Sequence, residues 1–176
     1  MEITIRKADA ADLDAVVRVY EHVHDAEEAG PAQVGWIRGV YPVRSTAEAA
    51  MERGDLFVEE ADGAVVGTGI LNRLQADVYA GAPWQYDAPD DQIMVLHTLA
   101  VDPQAGKRGL GRAFAAFYEQ YAREHGCRYL RIDTNVKNAN ARRFYAGLGY
   151  REIAVRPCTF NGIGIVDLVL LEKKLD

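Results

Sequence analysis

Gly106, Gly109 and Gly111 are interleaved with Lys107, Arg108 and Leu110, and Arg112 follows at once. Glycine lets backbone N–H groups approach an anion closely, and such groups stand unpaired where a helix begins. Cations at a helix start oppose the macrodipole at about 0.3–1 kcal/mol each, and a bound anion reverses that cost. The turn from Gly106 to Arg112 therefore reads as a phosphate cradle, set against the plainer reading of a glycine turn that only lets a strand enter a helix. Neighbouring residues exclude two phosphate ligands. A nucleoside-triphosphate loop needs Ser or Thr after its lysine, and Lys107 is followed by Arg108. A dinucleotide fingerprint needs a small third residue where Phe114 stands. A different pyrophosphate carrier is indicated.

Other residue types add proton chemistry. His97 lies in an apolar run, where an imidazole could act as a general base or stay neutral and bonded to a neighbour. Asp133 ends a second apolar run close to Arg131 and Arg128, which offer it ordinary ion pairs. Tyr145 follows Ala141 at helical spacing, and by periodicity alone it is a packing aromatic; Asn138 suits a helix N-cap. Cys127 and Cys158 have neither metal-ligand spacing nor a nucleophile motif, and they are expected as reduced thiols.

The elements that must position these groups follow from periodicity. Ile3 and Ile5 alternate as in a strand, Asp9 with Asp12 suits a helix start, and Leu13, Val16, Val17, Tyr20 and His24 make one helical face. A helix over Thr46–Arg53 stops at Gly54, and strands Leu56–Glu59 and Ala64–Leu71 meet at an Asp62-Gly63 hairpin turn. Residues Leu74–Gln92 lack periodicity and read as a long functional loop. The run Ile93–Val101 is a buried strand ended by Asp102-Pro103. A helix carrying Leu110, Phe114, Phe117 and Tyr121 then runs to Gly126, and Tyr129–Thr134 forms the next strand, giving a crossover between parallel strands. A helix over Asn138–Leu148 precedes two last strands, Tyr150–Val155 and Ile163–Glu172, joined at Asn161-Gly162.

Two segments together resemble the GNAT N-acetyltransferases. They are Leu99-Ala100-Val101-Asp102-Pro103 with Gly106–Gly111, and Asn138-Ala139-Asn140-Ala141-Arg142-Arg143-Phe144-Tyr145-Ala146-Gly147-Leu148-Gly149-Tyr150. The resemblance implies an α/β (α+β) GNAT fold, a mixed sheet of six to seven strands with a splayed central parallel pair and about four flanking helices. It implies acetyl-CoA as acyl donor and direct transfer to the primary amine of a small molecule or peptide. By that resemblance Leu99, Ala100 and Val101 offer backbone groups to the acyl-carrying arm, and Gly106 to Arg112 hold the pyrophosphate. Asn138 touches the arm, Tyr145 is the acid for the leaving thiolate, and Asp133 matches a base of some members. His97, Asp133 and a water chain remain alternative bases. Family members usually carry Gln or Arg where this chain has Gly106. A catalytically silent acyl-CoA sensor is the alternative from another functional class.

The acceptor side, on the same resemblance, comprises Trp36 to Tyr41 and the loop with Trp84 and Tyr86. That loop holds Asp77, Asp87, Asp90 and Asp91 without a basic residue, which suits a cationic amine and equally suits the plainer reading of a solvated acidic loop. The 176 residues suit one domain, and a formal charge of −6 argues against nucleic acid as partner. No apolar run reaches the roughly 20 residues of a membrane helix, and no secretory signal is seen, so a cytoplasmic protein is expected. Exposed strand edges would permit a homodimer.

Overall fold

Along Leu56-Phe57-Val58 successive side chains enter opposite layers, and this alternation organises the whole molecule. The computed structural model describes every residue except Ala32 and Asn161. Its strands are β1 Ile3–Lys7, β2 Leu56–Ala61, β3 Ala64–Asn72, β4 Ile93–Val101, β5 Tyr129–Asn135, β6 Arg151–Phe160 and β7 Gly164–Lys174. They form one seven-stranded sheet in the order β1-β2-β3-β4-β5-β7-β6. All neighbours are antiparallel except β4 and β5, the parallel pair joined by the crossover. The helices are α1 Leu13–Ala29, α2 Arg44–Arg53, α3 Leu110–Glu124 and α4 Ala139–Gly147.

Leu56 and Val58 meet Val16, Val19 and Tyr20 of α1 and Ala47 and Ala50 of α2. Val19 rather than Val17 shares the buried face of α1, while Val17 is half-buried at its edge. Phe57 packs on the other face with Phe114 and Tyr118 of α3 and Tyr145 of α4. Each such fully buried side chain contributes about 1.5–3 kcal/mol. The approach of α3 is close, because a Cβ added at Gly69 would lie 2.6 Å from the Phe114 ring. The long loop covers what the helices leave bare, with Tyr79 packed on Ile93, Val95, Leu168 and Leu170.

The closing hairpin departs from the expected boundaries. β6 starts after Tyr150 and runs on to Phe160, through Pro157, which an edge strand tolerates because its outer N–H positions need no ladder partner. β7 begins at Gly164; the expected turn includes Asn161, which lies outside the described residues.

Glu59 shares the α3 face of β2 with Phe57. It is fully buried, and neither carboxylate oxygen has a hydrogen-bond partner among the described residues. Its neighbours in register are Ile5 and Gly67, and burial alone pushes the carboxyl from 4.5 up to about 7. The folded protein therefore keeps a proton that the unfolded chain releases, so stability falls as pH rises through that interval. Replacing Glu59 by Gln, the isostere of the protonated acid, is expected to leave stability unchanged near pH 4.5. At about pH 8 it should raise the unfolding free energy by roughly 3 kcal/mol. Urea denaturation at both pH values measures this, and an equal effect at both would refute the assignment.

Candidate active site

β4 and β5 hold together only through Ile93, Met94 and Val95 against Tyr129, Leu130 and Arg131. The buried Tyr118 hydroxyl on α3 donates to the Met94 carbonyl at 2.6 Å and lies 3.2 Å from that of Arg131, one acceptor on each strand where they part. Beyond that point β4 breaks its own register with β3. Thr68 opposes Ala100 and Ile70 opposes His97, so Thr98 and Leu99 together face Gly69 in a β-bulge. Thr98 has φ of +51°, a conformation that costs a β-branched residue about 1–3 kcal/mol, and its hydroxyl hydrogen-bonds the Tyr41 hydroxyl.

The parting opens a cavity of about 580 Å³ walled by Leu99, Ala100 and Val101 on one strand and Ile132 to Asn135 on the other. Backbone groups on the unpaired edge of β4 need a partner that no strand supplies. Gly111 of α3 and Asn138, Ala141, Phe144 and Tyr145 of the α4 segment complete the inner wall. Asn138 caps α4, its Oδ1 accepting from the Ala141 N–H at 3.0 Å, and it also lines the cavity. Tyr145 is almost wholly buried; its hydroxyl makes no hydrogen bond among the described residues, and burial with Asp133 nearby raises its pKa.

The glycine turn stands at the rim, between Val101 and Gly111. Asp102 orders its approach by accepting from the Gln104 N–H at 2.8 Å and pairing with His22 of α1 at 2.9 Å. Gly106 adopts φ of +81° and ψ of 178°, and Gly109 φ of +73°. A Cβ at Gly106 would meet nothing within 4 Å, so glycine is required there by backbone angle and not by space. Leu110 points into the core with Ala61 and Val66, leaving only its backbone to the turn. Lys107 and Arg112 are exposed without an ion pair among the described residues, whereas Arg108 donates to the Ala105 carbonyl at 2.8 Å and approaches Asp62 at 3.9 Å.

A second cavity, of about 640 Å³, lies between α2, the start of the long loop and the tip of β6. It meets the first at Tyr41, Leu96, Thr98, Asp133 and Phe160. Asp133 therefore faces both spaces. The Tyr79 hydroxyl donates to Asp133 Oδ2 at 2.8 Å, yet burial outweighs this bond and raises the carboxyl pKa. Three tyrosines, Tyr41, Tyr79 and Tyr145, and the Cys158 thiol feel the charge of Asp133.

The other residues expected at the site are distributed unequally. His97 opens only to the second cavity, bonds Asn72 Oδ1 at 2.8 Å through Nε2, and is pushed down to about 4 by burial. It is thus a neutral partner of Asn72, and the bulge at Thr98 is what separates it from the first cavity. Trp36 and Tyr41 line the first cavity. Trp84 and Tyr86 line neither. Trp84 donates to the Tyr79 carbonyl at 2.9 Å and covers the Arg131 guanidinium at 4.0 Å, while Tyr86 packs against Tyr129. Of the four loop aspartates only Asp77 reaches a cavity. The loop is tied down by cations from the sheet, since Arg156 donates to the Ala80 and Gly81 carbonyls at 3.1 and 2.8 Å.

Sequence reasoning missed Thr98, Tyr79, Tyr118 and His22. The bulge has no signal in an unbroken apolar run, and the three aromatic or imidazole contacts join distant segments. If Tyr79 holds Asp133 as described, Tyr79→Phe removes a donor that favours the carboxylate, and the Asp133 pKa rises further. Carboxyl carbon NMR titration of both proteins reads the shift, and coincident curves would remove Tyr79 from the site.

Comparison with known proteins agrees with this geometry. The profile of the acetyltransferase (GNAT) family matches residues 17–150. An uncharacterised N-acetyltransferase of Methanocaldococcus jannaschii is 28% identical over 97% of this chain and 91% of its own length. The mycothiol acetyltransferase of Cellulomonas flavigena is 27% identical over 56% of this chain, and the chain spans only 27% of that protein. Among solved structures, a GNAT-family acetyltransferase of Streptococcus agalactiae superposes with a TM-score of 0.80 at 21% identity, covering 99% of this chain and 96% of that one. The Salmonella typhimurium protein yncA, solved with its cofactor acetyl-CoA, gives a TM-score of 0.68 at 23% identity over 99% and 94%. With most of its length matched by the family profile, its sheet parted in the middle and its glycine turn at the rim, the chain belongs to the GNAT family of acetyltransferases.

Proposed function

We propose that this enzyme moves an acetyl group from acetyl-CoA to a primary amine, with the donor in the first cavity and the acceptor in the second. The observation that carries the reading is the meeting of the two spaces at Asp133 and Thr98, beside the buried Tyr145. The residues present suit the donor. Positive-φ glycines leave the backbone open at the rim, Lys107 and Arg112 are unpaired cations among the described residues, and the free edge of β4 offers N–H and C=O groups to an amide-bearing arm. Acetyl-CoA supplies an activated thioester; the chain's own groups then bind, orient and move protons.

An amine with pKa near 10.4 must lose a proton before it attacks, at about 4.6 kcal/mol at pH 7. Asp133 is the base we assign. Its raised pKa makes it a stronger proton acceptor than an ordinary carboxylate, and no protein cation bonds it, which leaves its charge for an incoming ammonium. Tyr145 is the acid. Burial keeps its phenol protonated, and the hydroxyl has no competing partner among the described residues. Beyond Val95 the edge of β4 that faces the parting has no strand partner, and its backbone N–H groups around the bulge at Thr98 are the ones we assign to hold a carbonyl oxygen.

Tyr145→Phe is expected to lower kcat by about 10²–10³-fold with little change in KM for acetyl-CoA. Asp133→Asn should do the same and also abolish the low-pH limb of kcat/KM, which in the parent protein lies above the ordinary carboxylate range. Thiol release from acetyl-CoA with an amine panel provides the assay. Full turnover in both variants would reject these roles.

A further inference from the structure

The second cavity is electrically two-ended. Three charged side chains line it, Arg53, Asp77 and Asp133. Asp77 and Asp133 line it together with Cys158 of β6, whose thiol is raised by burial first and then by both carboxylates. His97 instead feels Arg53 and Asp55, at the end formed by α2 and β3. Two carboxylates therefore line one side of the cavity, and Arg53, already paired with Asp55, stands at the other.

Arg53 is held in place and not fully engaged. Its Nε donates to Asp55 Oδ2 at 2.9 Å, and the same oxygen accepts from Asn72 Nδ2 at 3.0 Å. Asn72 in turn bonds His97 at 2.8 Å, so a polar chain runs from the last turn of α2 to the strand that parts. Asp55 is an acceptor only, so Asn72 must turn its amide nitrogen to it and its oxygen to His97, which makes His97 the donor from Nε2. This gives neutral His97 its task as a strut. The two terminal nitrogens of Arg53 make no hydrogen bond among the described residues, and its side chain is 44% exposed. An arginine pinned through Nε with its outer nitrogens free is pre-organised for an anionic ligand group.

We infer that the acceptor is an amino carboxylate, its amine at Asp133 and its carboxylate at Arg53. This rests on the placement of the acceptor in the second cavity proposed above, and it narrows the substrate class from amines in general to zwitterions. An amine without an anionic group would leave the free face of Arg53 unused, and a dication would meet it as a like charge. The long loop then has a different part from the one its composition suggested. Of its aspartates, Asp77 alone adds to the amine end.

The test uses matched acceptors that differ in the carboxylate: leucine against leucinamide and isopentylamine, and 6-aminohexanoate against hexylamine. The parent protein should favour the carboxylated member of at least one set by about tenfold or more in kcat/KM, the scale of one charge-assisted contact. Arg53→Ala should erase that preference by raising KM for the carboxylated acceptor while leaving KM for the plain amine and kcat nearly unchanged. Arg53→Lys should restore part of it. Equal use of both members by the parent protein, or an Arg53→Ala effect that falls alike on both, would overturn the inference. If every amine fails to turn over, the transfer reading fails. Calorimetric titration of the same compounds then decides the inference separately, since tighter binding of the carboxylated members that is lost in Arg53→Ala upholds it, and no such preference overturns it.

Discussion

Two parallel strands that cannot stay together are the constraint on which the site depends. After Val95 and Arg131 the backbone groups of β4 and β5 lose each other as partners. Buried main-chain polar groups do not remain unpaired without cost, so the fold either fills such a gap with protein or keeps it for a ligand. Here the outer strands decide the matter. β7 satisfies β5 over its whole length, from Tyr129 to Asn135, and β3 pairs with β4 on its other side from Val95 to Val101 apart from the bulge. Each strand is thus secured from behind while the gap stays open in front. Tyr118 pins the apex with a single hydroxyl shared between the two strands.

From this parting the remaining parts take their positions. α3 must start at the end of β4, which brings the glycine turn to the rim, and α4 must start at the end of β5, which brings Asn138 and Tyr145 to the inner wall. Asp133 sits at the end of the strand that leaves, where it is reached from both spaces. Backbone strain falls at the same place, since among the described residues Thr98 is one of two non-glycine residues with positive φ, and the other, Asp62, is in the β2–β3 turn. Hydroxyl contact with Tyr41 and packing around Leu96 and Ala100 hold the bulged backbone in its unusual conformation.

Much of this was legible in the sequence, and the boundary of legibility has physical causes. Periodicity located α3, because burial on one face leaves a repeating pattern, while an unbroken apolar run located β4 and the Asp-Gly pair located the turn at Asp62-Gly63. The glycine turn pointed to an anion through local spacing, and its pairing with the segment from Asn138 to Tyr150 pointed to the acyl carrier through resemblance to the GNAT family. What escaped was set by pairing between distant segments. A bulge displaces side chains by one position without changing composition, so His97, read either as a base or as a neutral partner of a neighbour, opens to the second cavity alone and bonds Asn72. The aromatic loop was read as an acceptor wall, but Trp84 and Tyr86 serve Arg131 and Tyr129, and only Tyr79 of its aromatic residues reaches Asp133. Two of its carboxylates, Asp87 and Asp90, act on Arg131 of β5, a balance that composition within the loop cannot reveal.

The division into two cavities also bears on how such a protein can change over evolutionary time. The first cavity is walled largely by the ends of β4 and β5 and the starts of α3 and α4, whereas the second draws on α2, the first residues of the long loop and the tip of β6. Few residues belong to both. Drift in α2 or in the loop can therefore reshape the second cavity while the first persists, and duplication followed by such drift would yield many second cavities on one chassis. Relatives that share barely a fifth of their residues yet superpose along nearly the whole chain are the expected record of that freedom.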